Sequence, residues 1–248
     1  MKIKLSVVIP AYNEEKNIQA GVLETVDRYL RKQKYAWEVL IVDDASPDQT
    51  ADLAEKFASK HKGFRVLKEP HRGKGGTVIA GMLAAKGEIV LFTDMDQATP
   101  LNQIEKFFPK FRDGYDGVIG SRSGRKGAPA SRKLMAFGFA LLRTLVLRLP
   151  YKDTQCGFKA FRAEAAKRIF GKMKIFRESR KIQGASVTAG FDLEMLYLAR
   201  KLELKVAEVA VNWRHQETKR VSPVKDSWEG LRDLIKVRLN ALQGRYKV

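Results

Sequence analysis

Three short apolar runs, residues 5–10, 39–43 and 89–92, each break off into a polar, acidic cluster. The clusters are Pro10-Ala11-Tyr12-Asn13-Glu14, Asp43-Asp44-Ala45-Ser46 and Thr93-Asp94-Met95-Asp96-Gln97. An apolar run that does not alternate with polar residues is the pattern of a strand covered on both faces. Segments of helical spacing lie between these runs. Strand-helix-strand alternation commits the chain to an α/β fold, a mostly parallel sheet with right-handed crossovers. Strands of such a sheet run the same way, so the acidic ends gather along one edge, outside which α/β sheets bind their ligands.

The pattern predicts helices over 14–32, 47–60, 75–86 and 101–111, with further strands at 64–67 and 117–119. Beyond Gly120 the composition shifts to a basic loop of Gly, Ser, Arg and Lys over 121–133, followed by an apolar helix over 134–149. A strand at 205–211 and a helix over 228–242 complete the reading. At 248 residues the chain is read as one domain. Residues 1–120 read as a nucleotide-binding type of sheet, and 121–248 as a second half of different composition.

Carboxylates crowded at one sheet edge repel one another unless a cation or hydrogen-bond donors offset them. Asp94 and Asp96, two positions apart at a strand end, suit Mg²⁺ or Mn²⁺, which take hard oxygen ligands and keep positions for water and diphosphate oxygens. The alternative is that they only cap the helix after Pro100. His71-Arg72-Gly73-Lys74-Gly75-Gly76 precedes a helix and can turn backbone donors and cations toward phosphate, or serve as an ordinary glycine turn.

Forty-seven Lys and Arg against 28 Asp and Glu give a net charge of +19, a surface drawn to anions. A nucleic-acid module would account for that charge, but the acidic strand ends oppose it and no basic stripe with interleaved aromatics is evident, so no nucleic-acid partner is expected. The single cysteine, Cys156, excludes an intramolecular disulfide and makes a cytoplasmic location the default. No run is long and apolar enough to span a bilayer. The 134–149 segment, with Phe137 and Phe139 flanked by Arg132, Lys133, Arg143 and Arg148, is either a membrane-interface helix or a core helix. Residues 231–246 form a second interfacial candidate, so peripheral membrane association is expected.

The order and spacing of Val7-Val8-Ile9-Pro10-Ala11-Tyr12-Asn13-Glu14, Val42-Asp43-Asp44-Ala45-Ser46, Gly73-Lys74-Gly75 and Asp94-Met95-Asp96 resemble the GT-A (Rossmann-like) glycosyltransferases of family 2. Further on, Gly120-Ser121-Arg122, Asp153-Thr154-Gln155-Cys156-Gly157-Phe158-Lys159, Phe191-Asp192-Leu193-Glu194 and Val211-Asn212-Trp213 are similar to the dolichyl-phosphate glucosyltransferase group, related to the dolichyl-phosphate mannose synthases. The resemblance implies inverting transfer of a hexose from a nucleotide sugar, UDP-glucose first and GDP-mannose as the alternative, to a dolichyl or polyprenyl phosphate at the cytoplasmic membrane face, with 121–248 as the acceptor-binding half; a family 2 transferase with a non-lipid acceptor is the further alternative. The resemblance further implies that Pro10, Ala11, Tyr12, Glu14, Asp43 and Lys74 hold the nucleotide, with Arg214 and Lys219 on the donor phosphates. Asp94 and Asp96 would hold the metal, and Arg122 and Arg132 would meet the acceptor phosphate, which makes Asp94, Asp96 and Arg122 the catalytic set. The mannose synthases use a glutamine one position later than Gln97, where Ala98 stands, which weakens Gln97 as a ligand. Glucosyltransferases of the group from eukaryotes carry an N-terminal membrane helix with no counterpart among these residues. Asp192 is read as a base for a hydroxyl acceptor or as a supporting residue for a phosphate acceptor.

Overall fold

The computed structural model describes residues 2–122, 130–176, 189–214 and 223–246. In chain order the elements are β1 (Leu5–Ala11), α1 (Glu15–Gln19), α2 (Val22–Leu30), β2 (Trp37–Asp43), α3 (Thr50–Lys60), β3 (Phe64–Lys68) and α4 (Gly73–Ala84). β4 (Ile89–Phe92), a 3₁₀ helix (Leu101–Lys106), α5 (Phe108–Arg112), β5 (Gly117–Arg122), α6 (Ala130–Leu147) and β6 (Lys159–Arg162) follow. α7 (Ala163–Lys172), α8 (Ala189–Lys201), β7 (Val206–Val211) and α9 (Pro223–Leu242) close the described chain.

The seven strands make a single sheet in the order β3-β2-β1-β4-β6-β5-β7. β3, β2, β1 and β4 pair in parallel, as do β5 and β7, whereas β6 runs antiparallel between β4 and β5. Two cores cover the sheet. Val8, Leu40, Val42, Val90 and Phe92 face one core, which includes α4, α7 and α8 side chains. Leu5, Val7, Ile9, Val39, Ile41, Ile89 and Leu91 face the other, with Ile18, Leu23, Val26 and Phe57. Alternate residues of the same strand thus enter opposite layers, the two-sided burial that continuous apolar runs require.

Several boundaries differ from the sequence reading. The helix expected over 14–32 is two helices, because Gly21 adopts φ +82°, a left-handed conformation that ends one and starts the next. The helix expected over 101–111 opens as a 3₁₀ turn and becomes α-helical only from Phe108. The basic loop expected over 121–133 is shorter, since Ser121 and Arg122 extend β5 and α6 begins at Ala130. β6, α7 and α8 had no counterpart in that reading. β6 is four residues long with a charge at either end, too short and too polar to be read as a buried strand.

α6 is neither wholly core nor wholly surface. Arg143 is buried, and its guanidinium donates to Thr154 Oγ1 at 3.1 Å and to the Tyr151 carbonyl, so it is a structural cation and not one reaching for lipid. Leu147 and Leu149 are buried as well, while Leu141, Leu142 and Leu145 are exposed on the opposite stripe. The side chains of Arg132, Lys133, Phe137 and Phe139 lie outside the described residues.

Candidate active site

β1, β2 and β4 are parallel neighbours, so their acidic ends do share one sheet edge. They do not surround one ion. Among the described residues no three His, Cys, Asp or Glu side chains gather closely enough to hold a metal. β1 separates β2 from β4, a gap of two strand spacings or roughly 10 Å, and each acidic pair has its own partners.

The first group lies at the ends of β1 and β2. Register places Pro10 beside Val42 and Ala11 beside Asp43, and the Asp44 N–H donates to the Ala11 carbonyl at 3.0 Å. Tyr12 stacks on His71, with ring centroids 4.5 Å apart and planes 18° from parallel. His71 Nδ1 lies 2.9 Å from Asp44 Oδ2, and the Arg72 N–H donates to Asp44 Oδ1 at 2.8 Å. The Glu14 N–H donates to Thr50 Oγ1 at 2.8 Å, and the Glu14 carboxylate accepts from Asn17. Asp43 is buried, and its Oδ2 accepts the Ser46 N–H at 3.2 Å, but its Oδ1 has no hydrogen-bond donor. A buried acceptor without a donor is uncommon in a folded protein and is satisfied by a ligand or water that brings one.

The second group lies at the end of β4. Lys74, in the first turn of α4, donates to Asp94 Oδ1. Burial works against the Lys74 ammonium, but Asp94, with Asp192 and Asp96 behind it, more than offsets this and raises its pKa above the usual lysine value. Gly157 closes the far side of Asp94. A methyl group there would fall 2.1 Å from Asp94 Oδ2 and displace the carboxylate from this position. Asp96 Oδ1 accepts the Ala98 N–H at 2.9 Å in a local turn, and the helix after Pro100 has no side-chain cap, so neither aspartate caps it. Gln97 has φ +49° and donates its side-chain amide to the Asp94 carbonyl at 2.9 Å. With Trp213 and Arg214 it lines a cavity of about 800 Å³ that Asp94 and Asp96 do not line. The Arg214 N–H donates to the Ala98 carbonyl at 2.8 Å, which ties the end of β7 to the Asp96 turn.

Two ion pairs missed in the sequence support this edge. Lys159 is fully buried; β6 register sets it opposite Phe92, and its ammonium bonds Asp192 Oδ1 at 2.6 Å and the Cys156 carbonyl. Burial pushes Asp192 upward, and Lys159 and Lys74 pull against that without reversing it. Burial also raises the Cys156 thiol, which packs as an apolar side chain. Only the polar residues of the 153–159 segment hinted at these pairs, because a lysine in a strand signals burial only once its register is known.

The other pair is Arg122 with Asp153. The Arg122 fork donates to both Asp153 oxygens at 2.7 and 2.8 Å, its main-chain N–H adds a third bond at 3.0 Å, and its guanidinium sits 5.8 Å from the Trp213 ring centroid. Burial opposes the Asp153 charge, but the Arg122 bonds outweigh it and carry the carboxyl from 3.8 down to about 2. A carboxyl depressed in the folded state stabilises the fold above its unfolded pKa and loses that stabilisation as pH falls through the folded value. The pair therefore contributes roughly 2 kcal/mol above pH about 5, fading between about pH 4 and 2. Asp153→Asn should remove this acid-dependent component from denaturation midpoints measured between pH 2 and 6. The side chain of Arg132 and all of Lys219 lie outside the described residues.

Residues 6–170 match the family model described as Glycosyl transferase family 2. The chain belongs to glycosyltransferase family 2. Among its family 2 relatives, a protein named dolichyl-phosphate beta-glucosyltransferase from Dictyostelium discoideum is 34% identical over 99% of this chain and 77% of its own length. The Homo sapiens protein of the same name is 33% identical over 99% of this chain and 78% of its own. Solved structures share the fold. Mannosyl-3-phosphoglycerate synthase from Rubrobacter xylanophilus superposes with a TM-score of 0.64 at 19% identity, over 99% of this chain and 76% of the other. Glucosyl-3-phosphoglycerate synthase from Mycobacterium tuberculosis, crystallised with Mn²⁺, UDP and glucosyl-3-phosphoglycerate, gives 0.60 at 20% identity, over 99% and 81%. The family 2 chain is therefore a GT-A glycosyltransferase, a single α/β domain with a mostly parallel sheet.

The donor set of the β4 end fits a divalent cation. It offers hard carboxylate oxygens from Asp94 and Asp96, and Asp94 already attracts an ammonium; two carboxylates are the few protein ligands a divalent cation needs where substrate phosphates and water complete the set.

Proposed function

We propose that this chain transfers glucose, with inversion, from UDP-glucose to a dolichyl or polyprenyl phosphate, with residues 1–120 binding nucleotide and metal and 121–248 binding the acceptor. The observation that carries the donor half is Asp43 Oδ1, a buried acceptor lacking a donor beside the Tyr12–His71 stack. The imide N–H of a nucleobase supplies such a donor, and the stacked rings supply a wall for its ribose or base. The names borne by the near full-length relatives support the acceptor.

In this reading Asp94 and Asp96 hold Mg²⁺ or Mn²⁺, whose chemistry is to neutralise the departing diphosphate. Lys74 and Arg214, with Lys219, meet the donor phosphates. Arg122, held by the Asp153 fork, meets the acceptor phosphate with Arg132. A phosphomonoester with a second pKa near about 6 is already anionic at neutral pH, so its oxygen attacks without a general base. Asp192 is bound to Lys159, which suits a supporting residue. The work left to the protein is to hold donor and acceptor in line. A panel of UDP-glucose, GDP-mannose and other nucleotide sugars, offered with a short polyprenyl phosphate and Mg²⁺ or Mn²⁺, tests this. UDP release with glycolipid formation supports it, GDP release establishes the mannose alternative, and no glycolipid from any donor overturns it.

The chain is proposed to act peripherally at the cytoplasmic face of a membrane. No helix among the described residues is long and apolar enough to cross one. α6 and α9 pack together, and each exposes an apolar stripe, Leu141, Leu142 and Leu145 on one and Ile235, Leu239 and Leu242 on the other. Arg148, Arg232, Arg238 and Arg245 are exposed on or beside these helices. Apolar stripes bordered by cations suit an anionic leaflet, each cation contributing about 1 kcal/mol. The protein should float with anionic vesicles at low salt, and Leu145→Glu/Leu242→Glu should cut the bound fraction by about tenfold or more. Equal flotation of the two proteins, or none by the parent, counts against it.

A further inference from the structure

Gly157 lies beside Asp94 Oδ2, and a Cβ added there would fall 2.1 Å from that oxygen. Lys74 approaches Asp94 Oδ1 from the first turn of α4, where the backbone on either side, Gly73 and Gly75 through Ile79, is buried. The ammonium ends a flexible four-carbon chain that is 32% exposed and can swing away. The pair thus joins a strand-end carboxylate to a displaceable cation.

We propose that Lys74 is a resident counter-ion that holds the cation position at Asp94 until a nucleoside diphosphate arrives, so that divalent metal and nucleotide bind as a coupled pair. The inference rests on the metal and donor site proposed above. Without a ligand, Lys74 offsets the negative charge shared by Asp94, Asp96 and Asp192, which would otherwise repel one another. A divalent ion arriving alone meets a carboxylate already paired and a like charge beside it. The diphosphate changes both conditions: it brings oxygens for the metal, and it offers the displaced ammonium a new anionic partner. Metal and nucleotide each then favour the state in which Lys74 has left Asp94, and by linkage each tightens the other.

The test is Mn²⁺ binding to the full chain, read from the free-ion signal in electron paramagnetic resonance, with and without UDP, for the parent, Lys74→Met, Lys74→Gln and Lys74→Arg. Parent protein is expected to bind Mn²⁺ weakly alone and more tightly with UDP, by a factor within the range of about 5- to 150-fold usual for coupled sites. Lys74→Met and Lys74→Gln, which keep the chain and lose the charge, should bind Mn²⁺ alone about tenfold more tightly than the parent and show a correspondingly smaller effect of UDP. Lys74→Arg should keep the parent pattern. Neutral variants that bind Mn²⁺ alone no better than the parent, while UDP still tightens it, overturn this proposal and leave the metal site standing. Absence of Mn²⁺ binding by every protein, with UDP or GDP present, overturns the metal site and this proposal together.

Discussion

Asp94→Asn is expected to lower kcat/KM for sugar transfer by about 10³ while leaving the far-ultraviolet dichroism unchanged. Asparagine preserves the shape of the side chain, so the 3.2 Å turn bond from the Gln97 N–H to the residue 94 carbonyl survives. What is lost is one of two carboxylates proposed to carry the metal, together with the anionic partner of Lys74. A companion substitution reaches the same carboxylate from behind. Gly157→Ala places a methyl 2.1 Å from Asp94 Oδ2, so the carboxylate has to shift, and misplacing a group at the reacting centre by about 1 Å costs on the order of 10² in rate. Both variants should lose Mn²⁺-dependent UDP binding by calorimetry. If Asp94→Asn keeps more than about a tenth of the parent kcat/KM, the β4 end is not where the diphosphate is held.

Lys159→Met should destabilise the fold by about 3–5 kcal/mol in urea denaturation, since removing one member of a buried ion pair strands the other. Lys159 is wholly buried, with Asp192 Oδ1 at 2.6 Å and the Cys156 carbonyl as its partners, and its ammonium lies 5.4 Å from the Phe92 ring centroid. Asp192→Asn in the same chain should recover most of the loss, because the uncompensated charge is then gone. The double variant separates two roles for Asp192. Recovered stability with retained transfer identifies Asp192 as a counter-ion that positions the Cys156-Gly157 turn beside Asp94. Recovered stability without transfer assigns Asp192 a part in the chemistry. A single variant that costs less than about 1 kcal/mol shows that the pair does not hold the edge together.

The chemistry of Asp94 and Asp96 was legible because a strand end followed by two carboxylates reads the same in any parallel sheet. Asp43 was legible for the same reason, and the turn 71–76 was recognisable as a helix entry. The partners of these groups were not. Lys74 lies twenty positions before Asp94 in the chain, and Gly157 lies far beyond it. Neither contact leaves a local pattern. Arg143 was misread for a related reason: a cation in an apolar helix looks the same in sequence whether it turns toward lipid or toward Thr154 and the Tyr151 carbonyl.

The sequence by itself determined the parallel core, the edge at which its strands end and the kinds of group assembled there, because strand burial and residue chemistry are local properties. Only the tertiary structure decided which cation meets which carboxylate. That choice rests on β6 entering antiparallel between β4 and β5, a register that sets Lys159 opposite Phe92 and brings Gly157 against Asp94. Pairing across a sheet depends on strand order, and strand order follows from the packing of the whole chain, which no window of sequence contains.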